Sequence, residues 1–72
     1  MTYALVMEPK NGIGDGEVVL DDSLAILKKL AGELWAHYTA AEQKARRITV
    51  GTAVTSEDGD LLAIDTVEGV WE

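Results

Sequence analysis

A histidine one helical turn after a glutamate is the clearest candidate for chemistry in this sequence. His37 is the only histidine, and Glu33 precedes it by four residues. Such a pair on a helix can supply two ligands to a metal ion, whereas zinc sites in proteins need more than two. A metal site here would need residues from a second copy of the chain. The simpler interpretation is a surface histidine beside an acid.

The sequence does not support nucleophilic catalysis. Ser23 and His37 lie on one predicted helix and are separated by roughly 20 Å, so they cannot form a triad with Asp65. The absence of cysteine excludes thiol catalysis, cysteine metal sites and disulfide bonds. No carboxylate pair stands out as an acid/base dyad. We therefore predict a protein that is not an enzyme and that has no catalytic residue, no metal and no cofactor.

Two turn segments resemble ligand sites only superficially. Residues 10–16, KNGIGDG, follow a predicted strand but lack the glycine spacings of phosphate-binding loops. The acids Asp15 and Glu17 would also repel a phosphate. The second segment, residues 56–60, clusters side-chain oxygens, but calcium takes about six to eight oxygens from a longer loop. Both segments are interpreted as turns.

A helical pattern from Asp22 to Arg47 organises the rest of the chain. Its apolar residues recur at alternating spacings of three and four, the period of a helix. Ser23 and the acids before it suit a helix N-terminus, and the basic residues near Arg47 suit a C-terminus. We predict one long amphipathic helix. Its core-facing stripe contains Leu24, Leu27, Leu30, Ala31, Leu34, Trp35, Tyr38, Ala41 and Ala45.

The other side of this predicted helix is formed by small residues. Gly32, Ala36 and Ala40 are spaced by four and would line a single ridge. A glycine inside a helix costs about 1 kcal/mol relative to alanine. Either a second copy packs closely on this ridge, or the glycine is simply tolerated on a solvated face.

Alternating apolar residues predict strands at residues 2–7, 48–55 and 61–67, with a short further strand at 17–20. The strands at 48–55 and 61–67 would form a hairpin. A three-residue loop, Glu57-Asp58-Gly59, pairs Val54 with Leu62 and puts the large apolar residues on one face, so we favour it over a two-residue turn.

These elements predict one α+β domain covering residues 1–72. It is an antiparallel sheet of three to four strands with one long amphipathic helix packed on one face. The first strand is predicted to lie beside the last, through a right-handed crossover. The uncovered face would either meet another copy or remain half-solvated. It is predicted to carry Thr49, Gly51, Ala53, Thr55, Leu61, Ala63, Asp65 and Val67.

Length and charge restrict the function further. A chain of 72 residues is marginally stable alone, which favours homo-oligomers. Thirteen acids and six bases give a net charge of −7, which opposes direct binding to nucleic acids or anionic membranes. The charge suits a basic protein partner or mimicry of nucleic acid. The lack of an apolar run of ~18 residues and of cysteine predicts a cytoplasmic protein.

The two tryptophans complete the candidate contacts. Trp35 lies at the edge of the predicted stripe and Trp71 near the C-terminus, and aromatic residues at the rim of a small fold often anchor interfaces. They could instead close the edge of the core. We predict a small acidic interaction or assembly protein, a homodimer that contacts partners through Trp35, Trp71, Gly32, Ala36 and Ala40. Two alternatives are an acidic decoy of a nucleic-acid-binding protein and an enzyme or ligand-binding subunit whose site forms between copies.

Overall fold

The computed structural model describes residues 1–14 and 16–72. It is an α+β fold in which one antiparallel sheet, in the strand order β2-β1-β3-β4, is covered by helix on one face. The predicted fold class is therefore confirmed. In chain order, the elements are β1 (Tyr3–Pro9), β2 (Glu17–Asp21), α1 (Leu24–His37), α2 (Ala40–Ala45), β3 (Arg46–Thr55) and β4 (Leu61–Trp71).

Strand β1 lies in the middle of the sheet and pairs antiparallel with both β2 and β3. The prediction that the first strand lies beside the last is wrong. The glycine-rich segment after β1 is short, so β2 folds straight back and occupies one side of β1. The helical connection then carries the chain over the sheet and places β3 on the other side, parallel to β2.

The core lies between α1 and the sheet. Leu5 pairs with Val50 and Met7 with Ile48, so these side chains share the face that α1 covers. Leu27 of α1 completes this buried cluster. The predicted stripe is confirmed as far as Tyr38, because Leu24, Leu30, Leu34, Trp35 and Tyr38 all pack against the cluster.

The prediction of one continuous helix to Arg47 is wrong. Helix α1 ends at His37, and Thr39 begins a second helix with a capping box. The Glu42 backbone N–H donates to the Thr39 hydroxyl at 3.2 Å, and the Thr39 N–H donates to the Glu42 carboxylate at 3.0 Å. This arrangement satisfies two amides that a new helix start leaves unpaired. Because the chain changes direction here, Ala41 and Ala45 are exposed rather than core-facing.

The capping box gives a first testable prediction. Thr39→Ala is expected to lower the free energy of unfolding by about 1 kcal/mol, the usual loss for an N-cap. The Thr39 amide and hydroxyl lower the pKa of Glu42, with a smaller contribution from Arg46. Urea denaturation and an NMR titration of Glu42 would measure both effects.

The sign of the pH dependence follows from the lowered pKa of Glu42. The carboxylate part of the capping box stabilises the fold above the ordinary carboxyl pKa and is lost as the pH falls through the lowered pKa. Thr39→Ala removes the hydroxyl but keeps the backbone N–H, which is the larger cause of the lowered pKa, so the pKa of Glu42 should move only part of the way up toward its ordinary value. An unchanged Glu42 titration would contradict the assignment of the cap.

The predicted three-residue loop between β3 and β4 is confirmed. Gly59 has a positive φ of 86°, and its N–H donates to the Ser56 carbonyl at 3.0 Å. The predicted register beyond the loop is wrong, because an irregularity between Val54 and Thr55 pairs Val54 with Ala63 instead of Leu62. Leu62 is consequently 66% exposed.

Two more irregularities, on either side of Gly51, bend the hairpin further. A side-chain Cβ at Gly51 would overlap the Thr66 carbonyl oxygen and lie 2.6 Å from Cγ2 of Ile64. Since Val50 faces the helix, Gly51 and the neighbouring Ile64 face the other way. The prediction that the large apolar residues of this hairpin share one face is therefore wrong, because Val54 stays on the side of Val50 whereas Ile64 pairs with Ala53 on the opposite side.

Candidate functional site

The described part of the chain encloses no pocket. Within the same residues, no group of three or more histidine, cysteine or acidic side chains is placed to share a metal ion. The surface that stands out is the side of the sheet that the helices leave uncovered.

This uncovered side is built from two neighbouring rows of residues that cross all four strands. The pairing of β1 with β2 and β3, and of β3 with β4, aligns the members of each row. We call these eight residues the open face. The first row is Val18, Val6, Thr49 and Val70, and the second is Leu20, Ala4, Gly51 and Val67.

The open face is apolar, and its two edges are the most accessible parts. The large side chains at the edges are exposed by 48% at Val18, 37% at Leu20, 55% at Val67 and 46% at Val70. In the middle, Ala4 and Gly51 are buried, and Ile64 of the bent hairpin lies over Gly51. A sheet face that carries four accessible large apolar side chains and no ionisable one is a candidate interaction site.

Three charged side chains, Glu8, Arg47 and Glu72, form a third row at one end of the open face, which we call the charged row. The Arg47 Nε donates to the Glu72 carboxylate at 3.0 Å, and an Arg47 guanidinium nitrogen lies 3.7 Å from Glu8. The three side chains are about a third to a half exposed, so these ion pairs contribute little to stability. None of the eight open-face residues is ionisable, although the chain carries a net charge of −7.

The sequence predicted only part of this surface. Thr49, Gly51 and Val67 do lie on the uncovered side. Ala63 does not, because it pairs with Val54 on the other side. The residues contributed by β1 and β2 were missed, since the first strand was placed at the wrong position in the sheet. The only sequence signal for the β2 residues was the alternation of Val18 and Leu20, and a strand this short does not show from alternation alone which of its faces is buried.

Both tryptophans lie on the helix side and pack partly buried against the core. The rings of Trp35 and Tyr38 have centroids 5.7 Å apart and are tilted by 56°. The Trp71 ring covers Gly69, and the end of the Lys28 side chain lies beside it. These contacts close the rim of the core. A role for Trp35 or Trp71 in binding a partner stays a prediction.

The predicted ridge of small residues is interrupted. Gly32 and Ala36 lie on α1, whereas Ala40 lies on α2 beyond the break, so the three do not form one ridge. A Cβ added at Gly32 would meet no atom within 4 Å. Gly32 therefore has no packing reason within its own chain, and contact of these residues with a partner stays a prediction.

The remaining candidates occupy local roles. His37 Nδ1 lies 2.7 Å from the backbone carbonyl of Glu33, so the ring bonds to the end of α1 rather than to the Glu33 carboxylate. The Asn11 side chain accepts from the Ile13 N–H at 2.9 Å and forms a turn. Ser56 does the same for Asp60 at 3.2 Å. Asp15 of the glycine-rich segment lies outside the described residues.

Neither the helices nor comparisons with known proteins assign a function to this chain. Of the helices that the structure describes, none has the length and apolar character needed to cross a membrane. Comparisons with known protein families, curated proteins and solved structures find no match to this chain. The candidate site thus stands on its own geometry, and that geometry is an apolar sheet face.

Proposed function

We propose that this chain is a small, acidic, non-enzymatic assembly protein that works as a homodimer through its open face. The observation that carries the proposal is the pair of apolar rows on the uncovered side of the sheet. A sheet with one covered face and one apolar face is half of a layered structure, and a second layer would remove that apolar surface from water. A second copy of the chain supplies such a layer.

The dimensions of the chain suit such a partner. Its Cα atoms extend over 36 × 26 × 17 Å, which is consistent with a slab of two layers about 10 Å apart. The broad side of the slab is of the same order as the ~800 Å² that each partner contributes to a standard stable interface. Dimerisation would also add stability that a chain of 72 residues has difficulty supplying alone.

The charge distribution supports association on this side in particular. Two copies with a net charge of −7 each repel one another. Glu8 of β1 lies at one end of the open face, and most other acids lie on β2, the helices, the tip of the hairpin and β4. The open face has no ionisable side chain, so two copies can meet there without apposing unpaired charges. Burying unpaired charges elsewhere would cost several kcal/mol per ion.

A charge placed on the open face tests the proposal. We expect Val67→Lys to weaken dimerisation by at least about 100-fold, because the new ammonium would be buried without a partner. Sedimentation should then show a dimer for the native sequence and the 7.7 kDa monomer for the variant. The matched control is Ile26→Lys, which alters a similarly accessible residue, 58% exposed, on α1.

Either of two results would overturn this function. One is a monomeric native chain at concentrations up to ~1 mM, the range of very weak association. The other is loss of the dimer in Ile26→Lys but not in Val67→Lys. Circular dichroism of both variants separates failed association from failed folding.

The other functions are not favoured by a specific observation. Acids at the hairpin tip, Glu57, Asp58 and Asp60, are grouped, but the rest are spread over several elements, whereas a nucleic-acid decoy needs them spaced along one surface. A site shared between copies would use His37, and within the described residues no group of three or more histidine, cysteine or acidic side chains is placed to hold a metal ion. A basic protein partner and a cytoplasmic location remain predictions from the acidic, cysteine-free sequence.

A further inference from the structure

We infer that the two copies pair about a two-fold axis that runs along the strands, between β1 and β3, so that Arg47 of each copy faces Glu8 of the other. This inference rests on the proposed function, since it requires that two copies meet at their open faces. It specifies how the two copies meet. It also assigns a role to the charged row, whose ion pairs contribute little to the stability of the single chain.

A two-fold axis for face-to-face pairing lies in the plane between the sheets. Two directions of that axis keep the strands of the two sheets aligned, as in most sheet sandwiches. An axis along the strands places β1 over the partner's β3 and β2 over the partner's β4, with each row over the same row. An axis along the rows places each strand over its own copy and reverses the rows. The two arrangements bury the charged row against different neighbours.

With the axis along the rows, Glu8 and Arg47 of the charged row meet uncharged residues of the partner. The axis would pass between the two apolar rows, at the level of Leu5 and Val50. Residues equally far from this level on one strand then face each other, so Arg47 would lie over the partner's Ala53 and Glu8 over the partner's Thr2. Neither residue offers a charge to the partly desolvated ions, which makes this arrangement costly. It would also separate the two charged rows at opposite ends of the dimer.

With the axis along the strands, the same charges become complementary. Glu8 and Arg47 are directly paired across β1 and β3, so the symmetry operation exchanges their positions and sets each opposite the other across the interface. Glu8 has room for a second partner, since it is 43% exposed and its contact with Arg47 is long, at 3.7 Å. Arg47 is 35% exposed and would add the partner's Glu8 to the Glu72 carboxylate that its Nε already contacts at 3.0 Å. Two reciprocal ion pairs then close one end of the interface.

The apolar rows also match in this arrangement. Val18 would lie over the partner's Val70, and Leu20 over the partner's Val67. These are the four most accessible side chains of the open face, and each would be covered by another large apolar group. The strands of the two sheets would run nearly aligned, as they do in most sheet sandwiches.

Mixing two charge variants tests the arrangement. In Glu8→Arg and in Arg47→Glu, each homodimer would oppose like charges, and we expect each to dissociate about 10-fold more readily than the native dimer. Mixed together, position 8 of one chain meets position 47 of the other with opposite charge. We expect one-to-one heterodimers, detected by native mass spectrometry, with an affinity above that of either homodimer.

Within each variant chain, positions 8 and 47 carry like charges, and mixing the chains does not change this. Any gain in affinity on mixing therefore comes from ion pairs between the two copies. The matched control is Glu33→Arg, on α1, which should show no preference for the Arg47→Glu chain. If either variant fails to fold, a Val18→Cys chain mixed with a Val70→Cys chain gives the second measurement, since the sequence has no cysteine. A short bifunctional thiol reagent should link the two different chains in preference to like chains.

The results have distinct meanings. Preferred heterodimers or preferred Val18–Val70 cross-links support the axis along the strands. A stable native dimer without either preference overturns this arrangement and leaves the assembly function standing. A native chain that sediments as a monomer overturns both.

Discussion

Replacing Gly51 by alanine is expected to lower the free energy of unfolding by about 3 kcal/mol, at the upper end of the cost of overpacking. The added methyl would overlap the Thr66 carbonyl oxygen and lie 2.6 Å from Cγ2 of Ile64. The overlapping oxygen is backbone, so it cannot move aside as the end of a flexible side chain can. The hairpin must open at its bend to admit the methyl group.

Gly32→Ala is the matched control for this substitution. Here the new methyl meets no atom within 4 Å, and alanine is favoured over glycine in a helix by about 1 kcal/mol. We expect Gly32→Ala to stabilise the chain by that amount while Gly51→Ala destabilises it. Urea denaturation at a fixed protein concentration, chosen to keep the association state constant, measures both.

The paired glycine variants can contradict the structure in two ways. A Gly51→Ala chain as stable as the native one would mean that β4 does not fold over Gly51. A Gly32→Ala chain that associates more weakly than the native one would show close packing of a partner on α1, as one interpretation of the sequence predicted.

The second large effect is expected at Leu27, the most buried leucine of α1. Leu27→Ala should destabilise the fold by about 2–5 kcal/mol, since it removes buried methyl groups and leaves a cavity. Leu27 is only 1% exposed and lies in the central cluster with Leu5 and Val50. For a chain of 72 residues, a loss of this size is a large share of the total stability.

Ile26→Ala, the adjacent position, is the control for Leu27→Ala. The Ile26 side chain faces solvent, so its truncation should change stability by less than about 1 kcal/mol. Thermal and urea unfolding of the two variants compare directly. Equal losses in the two variants would show that α1 is rotated relative to the sheet in solution.

The sequence was sufficient for the helix stripe and the fold class because both depend on local periodicity. Leu24, Leu27 and Leu34 keep a helical spacing that no strand satisfies, and they pack on the core as predicted. The break at Thr39 also has a local sequence signal, because Thr39 and Glu42 have the Thr-x-x-Glu spacing of a capping box. It was missed because alanine-rich segments on both sides favour a continuous helix.

The strand order and the register of β4 could not be predicted in this way. Each irregularity in β4 inserts a residue and moves the following side chains to the opposite face. Alternation alone assigned Leu62 and Ile64 to the core, and the inserted residues reversed that result. The position of β1 depends on which strands pair in three dimensions. Residue spacing within one strand does not contain that information, so it could not predict the two rows of the open face.

The irregular pairing of β4 also affects how this chain can aggregate. A free sheet edge is a template for further strands when it is long and regular. The edge strand β4 is interrupted three times, and the opposite edge strand, β2, is only five residues long and has an acid at each end. Neither edge favours addition of another chain, so growth into fibrils is discouraged at both sides of the sheet. The proposed association through the open face would instead end at two copies, because it leaves no second open face to add to.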